Sequence, residues 1–139
     1  MAYAGDRRAL AVSTVRRIVQ HVLAHEAHPP VTFTVTFLST DRMRRLNRRT
    51  LGIDRSTDVI AFALPHDGIL LGDVYVCPAV ARRSARAHGI APREELVRLV
   101  THGALHVLGY DHPRGENRRR SAMWRRQETY VQSLLERTT

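Results

Sequence analysis

The chain alternates between two hydrophobic periods, and each change of period marks an element. Residues 31–38 read VTFTVTFL, apolar residues and threonine in strict turn. That pattern predicts a half-buried strand with Val31, Phe33, Val35 and Phe37 on its core face. Thr57 to Leu64 and Leu70 to Cys77 predict two further strands, joined as a hairpin through a PHDG turn at Pro65 to Gly68. Met1 to Gly5 reads as a short edge strand. The helical period appears first at Val15, Ile18, Val19, Val22 and Leu23, behind Ser13 as N-cap, and ends at Pro29 and Pro30. His21, His25 and Glu26 fall on or beside the polar side of that helix.

Thr40 or Asp41 caps a short helix that turns Met43 and Leu46 inward, and a loop through Gly52 follows. Pro78 opens a helix through Ala87, closed at Gly89. Pro92 opens another, with Glu94 and Glu95 in its first turn, where negative charge suits the helix dipole. It runs to about Leu108 and stops at Gly109. A last helix from roughly Asn117 to Glu136 buries Met123, Tyr130, Val131, Leu134 and Leu135. Strands gathered early and helices late predict an α+β fold, a small mixed sheet of about four strands covered by about five helices. No repeat or linker divides the chain, so residues 1–139 are expected to form one domain.

Composition narrows the setting. Cys77 is the sole cysteine, which rules out an internal disulfide and favours a reducing compartment. Arg7, Arg8, Arg16 and Arg17 interrupt the opening, which does not resemble a secretory signal, and the longest apolar run, Val59 to Leu64, is far too short for a bilayer. A cytoplasmic protein without a membrane partner is expected. There are 22 basic against 13 acidic residues, giving a net charge of +9, and every basic residue is arginine. A field of that sign attracts phosphate backbones. It equally suits a plain solvated surface, so charge alone does not decide for nucleic acid.

Residues 101–112 read THGALHVLGYDH. His102 and His106 lie four apart on a predicted helix, so their imidazoles leave one face about one turn apart. Gly109 permits a turn at positive φ, and His112 follows in position to complete a three-nitrogen site. Three protein ligands with an open fourth position describe a catalytic zinc site, placed here at the end of a central helix. Any one histidine alone would be ordinary; the three spacings with glycine at the turn are not. The frame is that of metzincin proteases, HExxHxxGxxH, except that Gly103 replaces the glutamate that serves there as general base. Peptide hydrolysis is therefore disfavoured.

These residues resemble the hallmark HGxLHLxGYDH of the YbeY family, bacterial endoribonucleases and ribosomal RNA maturation factors. Matching positions are His102, Gly103, Leu105, His106, Gly109, Tyr110, Asp111 and His112, with Val107 a conservative change. Leu46–Asn47 resembles the family's LN pair. Thr57, Asp58, Val59 and Phe62 are similar to its TDVLSF strand, Leu71–Gly72–Asp73 to its LGD, and Met123 and Glu128 fit its final helix. The resemblance implies one zinc ion on His102, His106 and His112. It implies single-strand-specific, metal-dependent endoribonuclease activity in maturing the 3′ end of small-subunit ribosomal RNA. RNA and the ribosome are the implied partners, with a link to ribosome quality control. The family commonly carries an arginine tied to cleavage in a YRxxDxPTDV pattern. Here the segment reads TLGIDRSTDV, so Thr50 and Leu51 stand in place of Tyr-Arg, and Ser56 in place of proline.

No catalytic arginine is assigned. Arg48, Arg49 and Arg55 are candidates for RNA contact, and Asp73 and Asp111 for orienting a ligand imidazole or moving a proton. A backbone role for Asp73 is an equal alternative. Tyr110 reads as packing. His21, His25, His28, His66 and His88 lack ligand spacing and read as surface residues. Trp124, among arginines, is either a base-stacking surface or a partly buried helix contact. The Arg42 to Arg49 cluster and Arg118 to Arg120 with Arg125 and Arg126 are candidates for phosphate contact. Beside the endoribonuclease stand a ribosome-binding maturation factor stabilised by zinc without its own nuclease activity, and a zinc peptidase.

Overall fold

A computed structural model of the chain describes residues 2–5 as backbone, and residues 9–110 and 122–136 in full. The elements run β1 (Ala2–Gly5), α1 (Val12–His25), β2 (Val31–Phe37), α2 (Thr40–Leu51), β3 (Val59–His66), β4 (Ile69–Val76), α3 (Pro78–His88), α4 (Pro92–Val107) and α5 (Ala122–Glu136). The fold is α+β with a mixed sheet. Its strand order is β1-β2-β4-β3, with β2 parallel to both β1 and β4, and β3 antiparallel to β4.

Alternation sorts the sheet into two faces. Val35 pairs with Val74 and Phe37 with Val76, and these side chains enter the main core with Val15, Ile18 and Val22 of α1 and Val100 and Leu105 of α4. On the other face Asp73 lies between Thr34 and Phe62. Met43 of α2 is buried against that face with Ile60 and Cys77. The central helix α4 therefore lies on one side of the sheet and α2 on the other.

Several boundaries differ from expectation. The hairpin turn is confined to Asp67 and Gly68, both at positive φ (50° and 78°). Pro65 and His66 belong to β3 instead, where Pro65 costs no inner ladder bond because β3 is an edge strand. α1 starts at Val12 behind Ala11, without a side-chain cap, so Ser13 is not the N-cap. α2 is capped by Ser39, whose hydroxyl accepts from the Arg42 N–H at 3.3 Å, and not by Thr40 or Asp41. His21 is buried at 8% exposure with its ring edge-on to Tyr130, which corrects its reading as a surface residue. The expected start of the last helix at Asn117 lies outside the described residues.

α4 approaches β4 closely enough that no side chain fits between them at two places. A Cβ on Gly103 would stand 2.5 Å from Val74 Cγ1, and one on Gly72 would stand 2.5 Å from Val107 Cγ1. Neither valine can swing away, because its branched side chain is stiff at χ1. The glycine that takes the place of the protease glutamate is thus a packing requirement. G103A should lose about 1–3 kcal/mol of stability by overpacking. Chemical denaturation checks this, and adding V74A should recover much of the loss.

Candidate functional site

The face of α4 turned away from the sheet carries a stripe at four-residue spacing: Glu94, Arg98, His102 and His106. The residues between them, Glu95 to Val97, Leu99 to Thr101 and Gly103 to Leu105, are buried. The stripe meets α5. Arg98 donates to both Glu128 oxygens at 2.9 Å and pairs with Glu94 at 3.1 Å. Burial alone would raise the Glu128 pKa and is its largest single influence. Hydrogen bonds from Arg98 and Gln127, with the Arg98 charge, outweigh it and hold the carboxyl below its usual value.

One turn further on, His102 Nδ1 lies 2.7 Å from Gln127 Oε1. The Gln127 amide donates through Nε2 to Glu128 at 3.0 Å, which turns its carbonyl oxygen toward the imidazole. His106 Nδ1 lies 2.9 Å from the backbone carbonyl of Tyr110. Both partners can only accept, so the network assigns the proton to Nδ1 in each ring. In the neutral ring Nε2 then carries the lone pair that a metal requires. The ring centroids stand 6.4 Å apart. The donor set fits zinc. Among the described residues no three histidine, cysteine, aspartate or glutamate side chains form a metal group; His112, the third expected ligand, lies outside them.

The Tyr110 carbonyl is fixed from two directions. Gly109, at φ 103°, ends α4 in a Schellman turn, with Gly109 N–H donating to His106 O and Tyr110 N–H to Leu105 O, each at 3.1 Å. The Tyr110 hydroxyl meanwhile donates to Glu26 Oε1 at 2.5 Å. Glu26, with a side chain only 6% exposed, also accepts from Tyr130 and from Arg126 at 2.6 Å. One carboxylate thus ties the end of α1 to α5 and to the turn beneath His106. Burial pushes the Tyr130 hydroxyl up to about 12, with the Glu26 hydrogen bond adding to it.

Residues 4–135 match the family model described as Endoribonuclease YbeY. The chain belongs to the YbeY endoribonuclease family. A Persephonella marina relative of that name is 32% identical over 142 residues, 97% of this chain and 92% of the relative. A Thermotoga maritima relative of the same name is 36% identical over 100 residues, 72% of this chain and 65% of the relative. A solution structure of a Thermotoga maritima protein is similar with a TM-score of 0.70 at 28% identity, covering 98% of this chain and 89% of that one.

Within this YbeY fold the expected site residues separate. His102 and His106 come together on α4. Asp111, His112 and Arg118 to Arg120 lie outside the described residues. Asp73, between Thr34 and Phe62, alternates with Gly72 and Val74, which face α4, and so lies on the opposite face of the sheet. Arg48, Arg49 and Arg55 are exposed, and Asn47 joins their segments by donating to Arg55 O at 2.9 Å. Leu51 is 56% exposed at the end of the same helix. Tyr110 does more than pack, since its carbonyl holds His106.

Gln127 escaped the sequence reading. Its signal was present: a lone amide in the apolar stripe Met123, Gln127, Tyr130, Val131 and Leu134. Among the described residues no helix is long and apolar enough to cross a membrane.

Burial raises the Glu26 pKa and is its largest single influence, but the three hydrogen bonds and the Arg126 charge outweigh it and leave the carboxyl below its usual value. The stability it contributes is therefore complete above the ordinary glutamate value, about 4.3, and is lost as pH falls through the lower folded value. Denaturation of wild type and E26Q should show a gap that is widest near neutrality and closes in acid.

Proposed function

We propose that this chain is a zinc-dependent endoribonuclease of single-stranded RNA. It acts in the cytoplasm on the 3′ end of small-subunit ribosomal RNA and in ribosome quality control. Supporting this reading is one observation above all: two imidazoles on successive turns of α4, each with Nδ1 tied to an acceptor-only oxygen. His102 and His106, with His112, would hold the ion. When bound, zinc supplies Lewis-acid charge at the scissile phosphodiester and an activated water.

The chain's own residues do the positioning. Gln127 and the Tyr110 carbonyl keep each ring oriented, and Glu128 keeps Gln127 from flipping. The exposed guanidinium groups of Arg48, Arg49 and Arg55 neutralise backbone phosphates. Arg98 is committed to Glu94 and Glu128 and is not available to phosphate. Gly103 leaves no carboxylate beside the first ligand, which disfavours a peptidase. Leu51, exposed where the family resemblance places an arginine, favours the second reading of a zinc-stabilised ribosome-binding maturation factor without nuclease activity.

Metal-defined protein incubated with structured ribosomal RNA fragments should cleave them, and H102A should reduce cleavage to background while keeping its fold and most of its RNA affinity. Elemental analysis should find about one zinc per chain, and less in the variant. If wild type and variant bind RNA equally and neither cuts, the maturation-factor reading replaces the enzyme.

A further inference from the structure

A cavity of about 450 Å³ opens beside His102 between α3, α4, α5 and the start of β3. Its size falls in the range of about 300–1,000 Å³ typical of small-molecule sites. Val59, Leu99 and Met123 supply apolar wall, and Trp124 forms part of the side contributed by α5. The polar lining is unusual for a chain of net charge +9. It includes the carboxylates of Asp58, Glu94, Glu95 and Glu128, with Arg98 already engaged by two of them. Such a lining repels phosphate, so a nucleic-acid backbone stays outside it.

Glu95 indicates what enters. Its side chain is buried, the residue being 8% exposed. Among the described residues its one partner is the Ser84 hydroxyl, at 3.3 Å. That distance is long for an O–H···O bond, and a carboxylate can accept about four hydrogen bonds. Ser84 bonds only Oε2, and the carboxyl lines the cavity, so Oε1 can accept from a donor that enters it. The lining suits an occupant with apolar faces, little or no charge, and N–H donors.

We infer that this cavity receives one unpaired nucleobase of the RNA, guanine by preference. Guanine's N1–H and N2–H₂ lie side by side and match the two oxygens of a carboxylate. Uracil offers a single N–H flanked by carbonyls that Glu95 repels. A base seated here places its own nucleotide beside His102, so the cavity would select where along a single strand the backbone meets the metal ligands. This inference rests on the RNA-processing reading and adds base selectivity to it.

Trp124 is the chain's only tryptophan, so its fluorescence reports on the cavity without a label. Zinc-loaded protein is titrated with guanosine 5′-monophosphate, uridine 5′-monophosphate, ribose 5-phosphate and manganese chloride, and binding of a single-stranded RNA oligomer is followed separately by anisotropy. Expected is saturable quenching by the guanine nucleotide at about tenfold lower concentration than by the uracil nucleotide. Ribose 5-phosphate should give none, and E95Q should erase the preference. Equal responses to all three organic probes, or a response to manganese alone, overturn the inference, and the nucleotide series on unmodified protein decides this even where E95Q fails to fold. RNA binding that persists without base preference removes the base site but leaves the RNA reading intact; loss of both removes both.

Discussion

Val74 of β4 and Gly103 of α4 meet with no Cβ between them, and the position of both candidate ligands depends on that contact. With α4 pressed onto the sheet there and again at Gly72 and Val107, its rotation about its own axis is set. Residues beside Gly103 on the inner face are buried, and the stripe through Glu94, Arg98, His102 and His106 is left facing α5. Had a side chain occupied position 103, the helix would lift or roll, and the imidazoles would lose their partners. The same packing explains why this frame of histidines does not carry a protease's glutamate.

Arg98, His102 and His106 each meet a group matched to what they can donate or accept. Arg98 meets a carboxylate, His102 a carbonyl oxygen whose amide is steered by that carboxylate, and His106 a backbone carbonyl clamped by a Schellman turn and by Glu26 through Tyr110. The result is two rings with defined tautomers, held by groups that come from α1, α5 and the end of α4. Orientation of this kind lowers the entropy lost when a cation binds.

Much of this was legible in the sequence. Strict alternation at 31–38 and proline at the starts of α3 and α4 located their elements well, because pattern and backbone chemistry agree there. The histidine spacing placed His102 and His106 on one helix face. What escaped was tertiary. Nothing local distinguishes Ser39 from Thr40 as a cap, or shows that His21 turns inward onto Tyr130. The period-two rule did put Asp73 on a definite face, but which helix covers that face is decided by packing, and α4 covers the other. Glu26 lies 84 residues from Tyr110, so its role as a tie between helices has no sequence signature.

In the proposed site His102 and His106 would share a cation through Nε2, because Nδ1 of each already faces an acceptor oxygen. Long-range proton–nitrogen correlation spectra of the imidazoles, recorded before and after zinc is added, test it most directly. Both rings should be Nδ1–H tautomers in the metal-free protein, with a large shift confined to Nε2 on loading. Coordination through Nδ1, or spectra that zinc leaves unchanged, would contradict it.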